Sequence, residues 1–112
     1  MATTNRPMMV VMTTVASVAE AEAMTVVLLE EGLAACVSRL QVSSSYHWQG
    51  ALEEKAEWLL LIKSAADLWP ELSARVQALH AYEVPEIVRI EADGASGGYM
   101  DWLAGACRAP TV

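Results

Sequence analysis

The apolar residues change their period several times along the chain, and each change predicts an element. Pro7 to Thr14 is a continuous run of Met, Val and Thr side chains, the pattern of a strand covered on both faces. Ser17-Val18-Ala19-Glu20 reads as a capping box, Ser17 as N-cap and Glu20 as its N3 partner, and Gly32 stands just past the end of the helix it opens. In that helix Ala21, Met24, Val27 and Leu28 recur at helical spacing. One face therefore packs on a sheet while Glu20, Glu22, Glu30 and Glu31 stay mostly in water.

Leu33 to Trp48 and Ala51 to Lys63 read as two strands meeting at a tight turn over Gln49-Gly50, with Trp58 to Ile62 as the most buried stretch. Both arms far exceed the usual strand of about five or six residues, so they must bend, break near Ser43-Ser44-Ser45, or project beyond their own domain. A projecting hairpin leaves open edges that a partner has to cover. Asp67 is the expected N-cap of the next helix, with Pro70 in its first turn and Leu68, Leu72, Val76 and Leu79 as its apolar stripe. Val84 to Ala92 reads as a strand with Pro85 near its start, and Ser96 as the cap of a last helix carrying Tyr99, Trp102, Leu103 and Ala106.

The order β-α-β-β-α-β plus a C-terminal helix predicts an α+β chain of ferredoxin-like type, residues 1–112 forming one domain. Two helices lie on one face of a four-stranded antiparallel sheet. The other face would be an exposed apolar patch in a monomer, so the pattern calls for a symmetric assembly.

Composition sharpens this. Apolar residues make up 54% of the chain, yet no uninterrupted apolar run exceeds five residues, as in Met8 to Met12 and Trp58 to Ile62, so membrane insertion is excluded and a subunit interface is the remaining outlet. The net charge of −7 repels nucleic acid and anionic lipid and favours cations. Cys36 and Cys107 lie far apart with no C-x-x-C pair, and the N-terminus has one basic residue, Arg6, and no long apolar segment. A reducing cytoplasm is the expected setting.

His80, Glu83 and Glu86 form the densest polar cluster, at a helix-to-strand junction, and their imidazole and carboxylates suit Zn²⁺, Cu²⁺ or Mn²⁺. They also have a plain structural account: His80 capping a helix C-terminus and the glutamates solvated or paired with Lys63 and Arg89. Tyr46, His47, Trp48 and Tyr82 gather aromatic surface that fits either subunit packing or a ligand pocket, with His47 as a further metal ligand. Cys36 reads as a small buried hydrophobe, and no nucleophile-base pair with an orienting third group supports an enzyme.

With these residues assembled, the chain resembles the CutA divalent-cation tolerance family from Val10 to about Leu103. The resemblance rests on Met12-Thr13-Thr14, Glu30-Glu31-Gly32-Leu33-Ala34-Ala35-Cys36-Val37, Tyr46-His47-Trp48-Gln49-Gly50, Leu59-Leu60-Leu61-Ile62-Lys63, Leu79 through Ile87, and Tyr99-Met100-Asp101-Trp102-Leu103. It implies a cytoplasmic homotrimer similar in architecture to PII signalling proteins, with links to copper tolerance and divalent-metal binding. The sequence departs from the family around Gln41, at Ala51 and at Ala81; Cys36 matches a cysteine proposed as a copper ligand in some members, whereas the other such positions hold Thr13 and Arg75.

The expectation is a trimeric binder of Cu²⁺ or another divalent metal in which His80, Glu83 and Glu86, with His47 and Cys36 as further ligands and Tyr82, Lys63, Trp48 and Tyr46 lining a pocket, form a site between subunits. The alternative is a PII-like trimer for signalling or scaffolding that binds a small organic anion, through Lys63, or a partner protein. A purely structural trimer is the third reading.

Overall fold

The computed structural model describes residues 6–111; the assignment of residues 1–5 and 112 to the same domain lies outside the described residues. The elements are β1 (Met8–Val15), α1 (Val18–Glu30), β2 (Cys36–Trp48), β3 (Ala51–Ala65), a 3₁₀ turn (Ala66–Leu68), α2 (Trp69–Leu79), β4 (Val88–Glu91) and α3 (Gly97–Ala106). The strands form one antiparallel sheet in the order β2-β3-β1-β4. This is the α+β arrangement the sequence order predicts. Among the described residues no helix is long and apolar enough to cross a membrane.

Strand alternation divides the sheet into two unlike faces. Met9, Val11, Thr13, Leu60 and Ile62 are fully buried, and with Leu28, Leu72, Val76 and Leu103 from the helices they form the core. The opposite side chains, linked by direct cross-strand pairing, include Val10, Met12, Leu59, Leu61, Val88 and Ile90. None of these six is buried.

Local chemistry fixes the ends of α1. Ser17 Oγ accepts from the Glu20 amide at 3.2 Å, as a capping box requires, but the Glu20 carboxylate takes the amide of Ala16, one residue before the cap, at 3.0 Å. At the other end Gly32 adopts φ +70°, Leu33 donates to the Leu28 carbonyl at 3.0 Å and Gly32 to Leu29 at 3.1 Å, a Schellman ending. The left-handed backbone needs glycine there, and an added Cβ would also sit 3.1 Å from Arg108 Cβ. The hairpin turns where expected: Gln49 and Gly50 both have positive φ, 49° and 82°, as a two-residue type I′ connection demands.

Neither arm breaks at Ser43-Ser44-Ser45. The ladder runs without interruption from Cys36↔Lys63 to Trp48↔Ala51, and the molecule measures 55 × 24 × 23 Å because the hairpin projects.

Three expectations need correction. Asp67 does not cap α2, because it lies within the 3₁₀ turn and its carboxylate is ion-paired with Arg6 at 2.8 Å. That guanidinium also donates to the carbonyls of Ala104, Cys107 and Arg108, so a charge-assisted knot replaces the local cap. Ser96 occupies the N-cap position of α3 without a side-chain cap bond. The last strand is shorter than Val84 to Ala92, since pairing with β1 spans Val88 to Glu91 and the segment before it, where Pro85 has no N–H to donate, leaves the ladder.

Candidate functional site

The departure of residues 80–87 from the sheet opens a cleft of about 600 Å³ between this segment and the hairpin. From the hairpin come Ser44, Ser45, Tyr46, His47, Trp48, Lys55 and Glu57; from the segment come Tyr82, Glu83, Val84 and Glu86; Thr14 of β1 completes the wall. Six of the residues expected from sequence thus converge: His47, Glu83, Glu86, Tyr46, Trp48 and Tyr82.

Tyr82 anchors the segment. Its hydroxyl donates to Glu57 Oε2 at 2.6 Å, and Glu57 is only 7% exposed. Burial, then the hydrogen bond to Glu57, pushes the Tyr82 phenol far above the usual tyrosine range, so it remains a donor at every physiological pH. The Lys55 ammonium lies over the same ring, 4.3 Å from its centroid.

His80 stands behind this wall, its ring 5.0 Å from that of Tyr82, and both of its nitrogens are engaged. Nδ1 accepts from the Tyr82 amide at 3.2 Å, which leaves the proton on Nε2 to donate to Thr13 Oγ1 at 3.0 Å. Desolvation on burial depresses its pKa, favouring this neutral tautomer. His80 therefore holds the junction in shape, with both ring nitrogens hydrogen-bonded.

Lys63 and Cys36 lie elsewhere, paired across β3 and β2. The Lys63 ammonium donates to Ser38 Oγ and sits 4.0 Å from Cys36 Sγ. This places the expected anion anchor on the open sheet face, outside the cleft, and sets a positive charge beside the thiol. Cys36 and Cys107 are both free.

Among the described residues no group of three or more His, Cys, Asp and Glu side chains converges as a metal set. The cleft thus presents carboxylates and an imidazole that are not grouped as a metal polyhedron, which would need further donors. Sequence reasoning missed Lys55, Glu57 and Thr13. A signal for the first two existed: once the turn is placed at Gln49-Gly50, the register sets Lys55 opposite Ser44 and Glu57 opposite Val42, against the segment's path.

Residues 9–106 match the sequence model of a family described as CutA1 divalent ion tolerance protein. The chain is 44% identical over 95 residues to the divalent-cation tolerance protein CutA of Thermus thermophilus, covering 84% of this chain and 92% of that protein. The solved structure of CutA1 from Oryza sativa superposes with a TM-score of 0.91 at 33% identity, covering 94% of this chain and 97% of that one. A protein of Archaeoglobus fulgidus described as a periplasmic divalent cation tolerance protein superposes at 0.87 with 29% identity, covering 88% and 97%.

Proposed function

Because the chain belongs to the CutA1 divalent ion tolerance family, we propose that it is a homotrimeric, non-catalytic binder of divalent cations, copper among them, whose cleft is completed by a neighbouring subunit. The observation that carries the reading is the convergence of Glu83, Glu86 and His47 on one cleft in a chain of net charge −7. Imidazole with carboxylate is a donor set that suits Cu²⁺ and Zn²⁺. The shortage of donors within one subunit supports a site shared between chains. The open sheet face and the projecting hairpin supply the surfaces for that assembly. Two free cysteines support a reducing, cytoplasmic setting.

Calorimetric titration with Cu²⁺ and with Zn²⁺ tests the reading on the wild-type protein and on the triple variant His47→Ala, Glu83→Gln, Glu86→Gln. The expected result is saturable binding weakened at least about tenfold in the variant, a difference of about 1.4 kcal/mol. Equal affinity in both proteins, or no heat from either metal, would overturn it.

A further inference from the structure

The cleft carries features that a hydrated metal ion does not use. Tyr46, Trp48 and Tyr82 bring three aromatic side chains to its wall, and the protein already holds one primary ammonium of its own, that of Lys55, 4.3 Å from the Tyr82 ring centroid. That distance lies within the roughly 6 Å over which an aromatic face attracts a cation. The Tyr82 hydroxyl is tied to the buried Glu57 carboxylate at 2.6 Å, which fixes the ring in place. Lys55 is thus an internal reporter of what the wall accepts.

Charge then sets the valence of a guest. Glu57, Glu83 and Glu86 line the cleft against the single ammonium of Lys55, so the formal charges of these four side chains sum to two negative. A small divalent metal ion would match that charge but requires several close donors, and among the described residues no three His, Cys, Asp or Glu side chains are grouped closely enough to hold one. A linear diamine matches it differently, with charges spread along an apolar chain that ring faces and Val84 can cover. Its ammonium groups each need only a carboxylate or a ring face.

We propose that this cleft binds linear diamines and polyamines, one terminal ammonium lying against the Trp48 and Tyr82 faces and the other meeting the Glu83 and Glu86 carboxylates. The inference rests on the cleft being a cation site, as argued above, and adds a class of organic cation that the cleft's aromatic and acidic lining suits. Lys55 competes with the guest for the aromatic face and so lowers the apparent affinity.

Calorimetry with 1,4-diaminobutane and with spermidine at physiological salt tests this on the full chain, with sodium butanedioate as the anionic control. Saturable heat is expected from both amines and none from the dianion. Trp48→Leu and Tyr82→Leu each weaken the amines about tenfold, because a ring face attracts the ammonium. Lys55→Ala tightens the amines severalfold. Since Tyr82→Leu also strips Glu57 of its partner, circular dichroism checks its fold, and Trp48→Leu, at the exposed hairpin tip, carries the test if that variant unfolds. No amine heat at millimolar concentration, or amine affinity unchanged in Trp48→Leu, overturns the proposal. Amine binding without any response to Cu²⁺ upholds it while sinking the divalent-metal reading, and Cu²⁺ binding without amine binding does the reverse.

Discussion

The contact between Tyr82 and Glu57 is where a single atom decides most. Glu57 is 7% exposed, and the Tyr82 hydroxyl is the partner the structure gives its carboxylate. Replacing Tyr82 with Phe keeps the ring under Lys55 and removes only that donor, which costs about 1–3 kcal/mol as a buried acceptor loses its bond. Urea unfolding at pH 7 measures it, and an unchanged midpoint would show the bond to be worthless. The same pair sets an alkaline limit, because the folded phenol pKa is raised above that of the unfolded chain. The stabilisation is complete below about pH 10, where a free phenol titrates, and is lost as pH rises further. Wild type should therefore lose stability above that pH more steeply than Tyr82→Phe. Sequence spacing singled out Tyr82 but not its partner, which is 25 residues away and reached only by folding the hairpin back. His80 is the opposite case, a residue whose type stood out while its bonds were hidden. Its residue type and neighbours suggested a metal ligand, yet a ring nitrogen accepts from an amide only two residues on, a local bond that spacing cannot distinguish from a free lone pair.

Elements were legible where their signals are local. The α1 ends, the I′ turn at Gln49-Gly50 and the long hairpin follow from Ser17, Gly32 and Gly50, each of which acts on its own backbone neighbourhood. Ser17→Ala should thus lower stability by about 1 kcal/mol, the ordinary worth of an N-cap oxygen, because the Glu20 amide at 3.2 Å loses its acceptor. Thermal unfolding by circular dichroism reads the loss, and Ser17→Asp should restore most of it, since aspartate caps equally well and favours a helix N-terminus. Expectations failed where a distant residue outbid the local one. Asp67 had cap chemistry, but Arg6 reaches it across 61 positions in sequence and binds it with two nitrogens. The last strand was read too long because Val84 and Ile87 are good strand formers. Pro85 and the bonds that hold His80 and Tyr82 keep that stretch off β1, and the cleft exists because of it.

At the scale of the molecule, shape and apolar surface point the same way. The radius of gyration is 15.0 Å, where a compact chain of this length has about 13 Å, so the hairpin arm is built to reach past its own core. Leu40, Val88 and Ile90 are each more than 40% exposed, and together with Leu59, Leu61 and Met12 they make a surface that a lone subunit would leave in contact with water. A patch of this kind with a protruding arm fits a head-to-tail contact, in which the arm of one copy covers the sheet of the next and a closed ring leaves no edge free. Sequence pattern anticipated both surfaces, because alternation marks the apolar side of each strand whether or not a helix covers it. Replacing Leu61 with Asp puts a charge at the centre of that face without touching the helix-side core, where Leu60 and Ile62 point the other way. Sedimentation equilibrium should find the wild type as a trimer and Leu61→Asp as monomer over the same concentration range. The variant's unfolding midpoint should fall by about 10 °C or more and become independent of concentration, since association no longer adds to stability. A variant that still sediments as the wild type would place the interface elsewhere, and the cleft would then have to work with the donors of one chain.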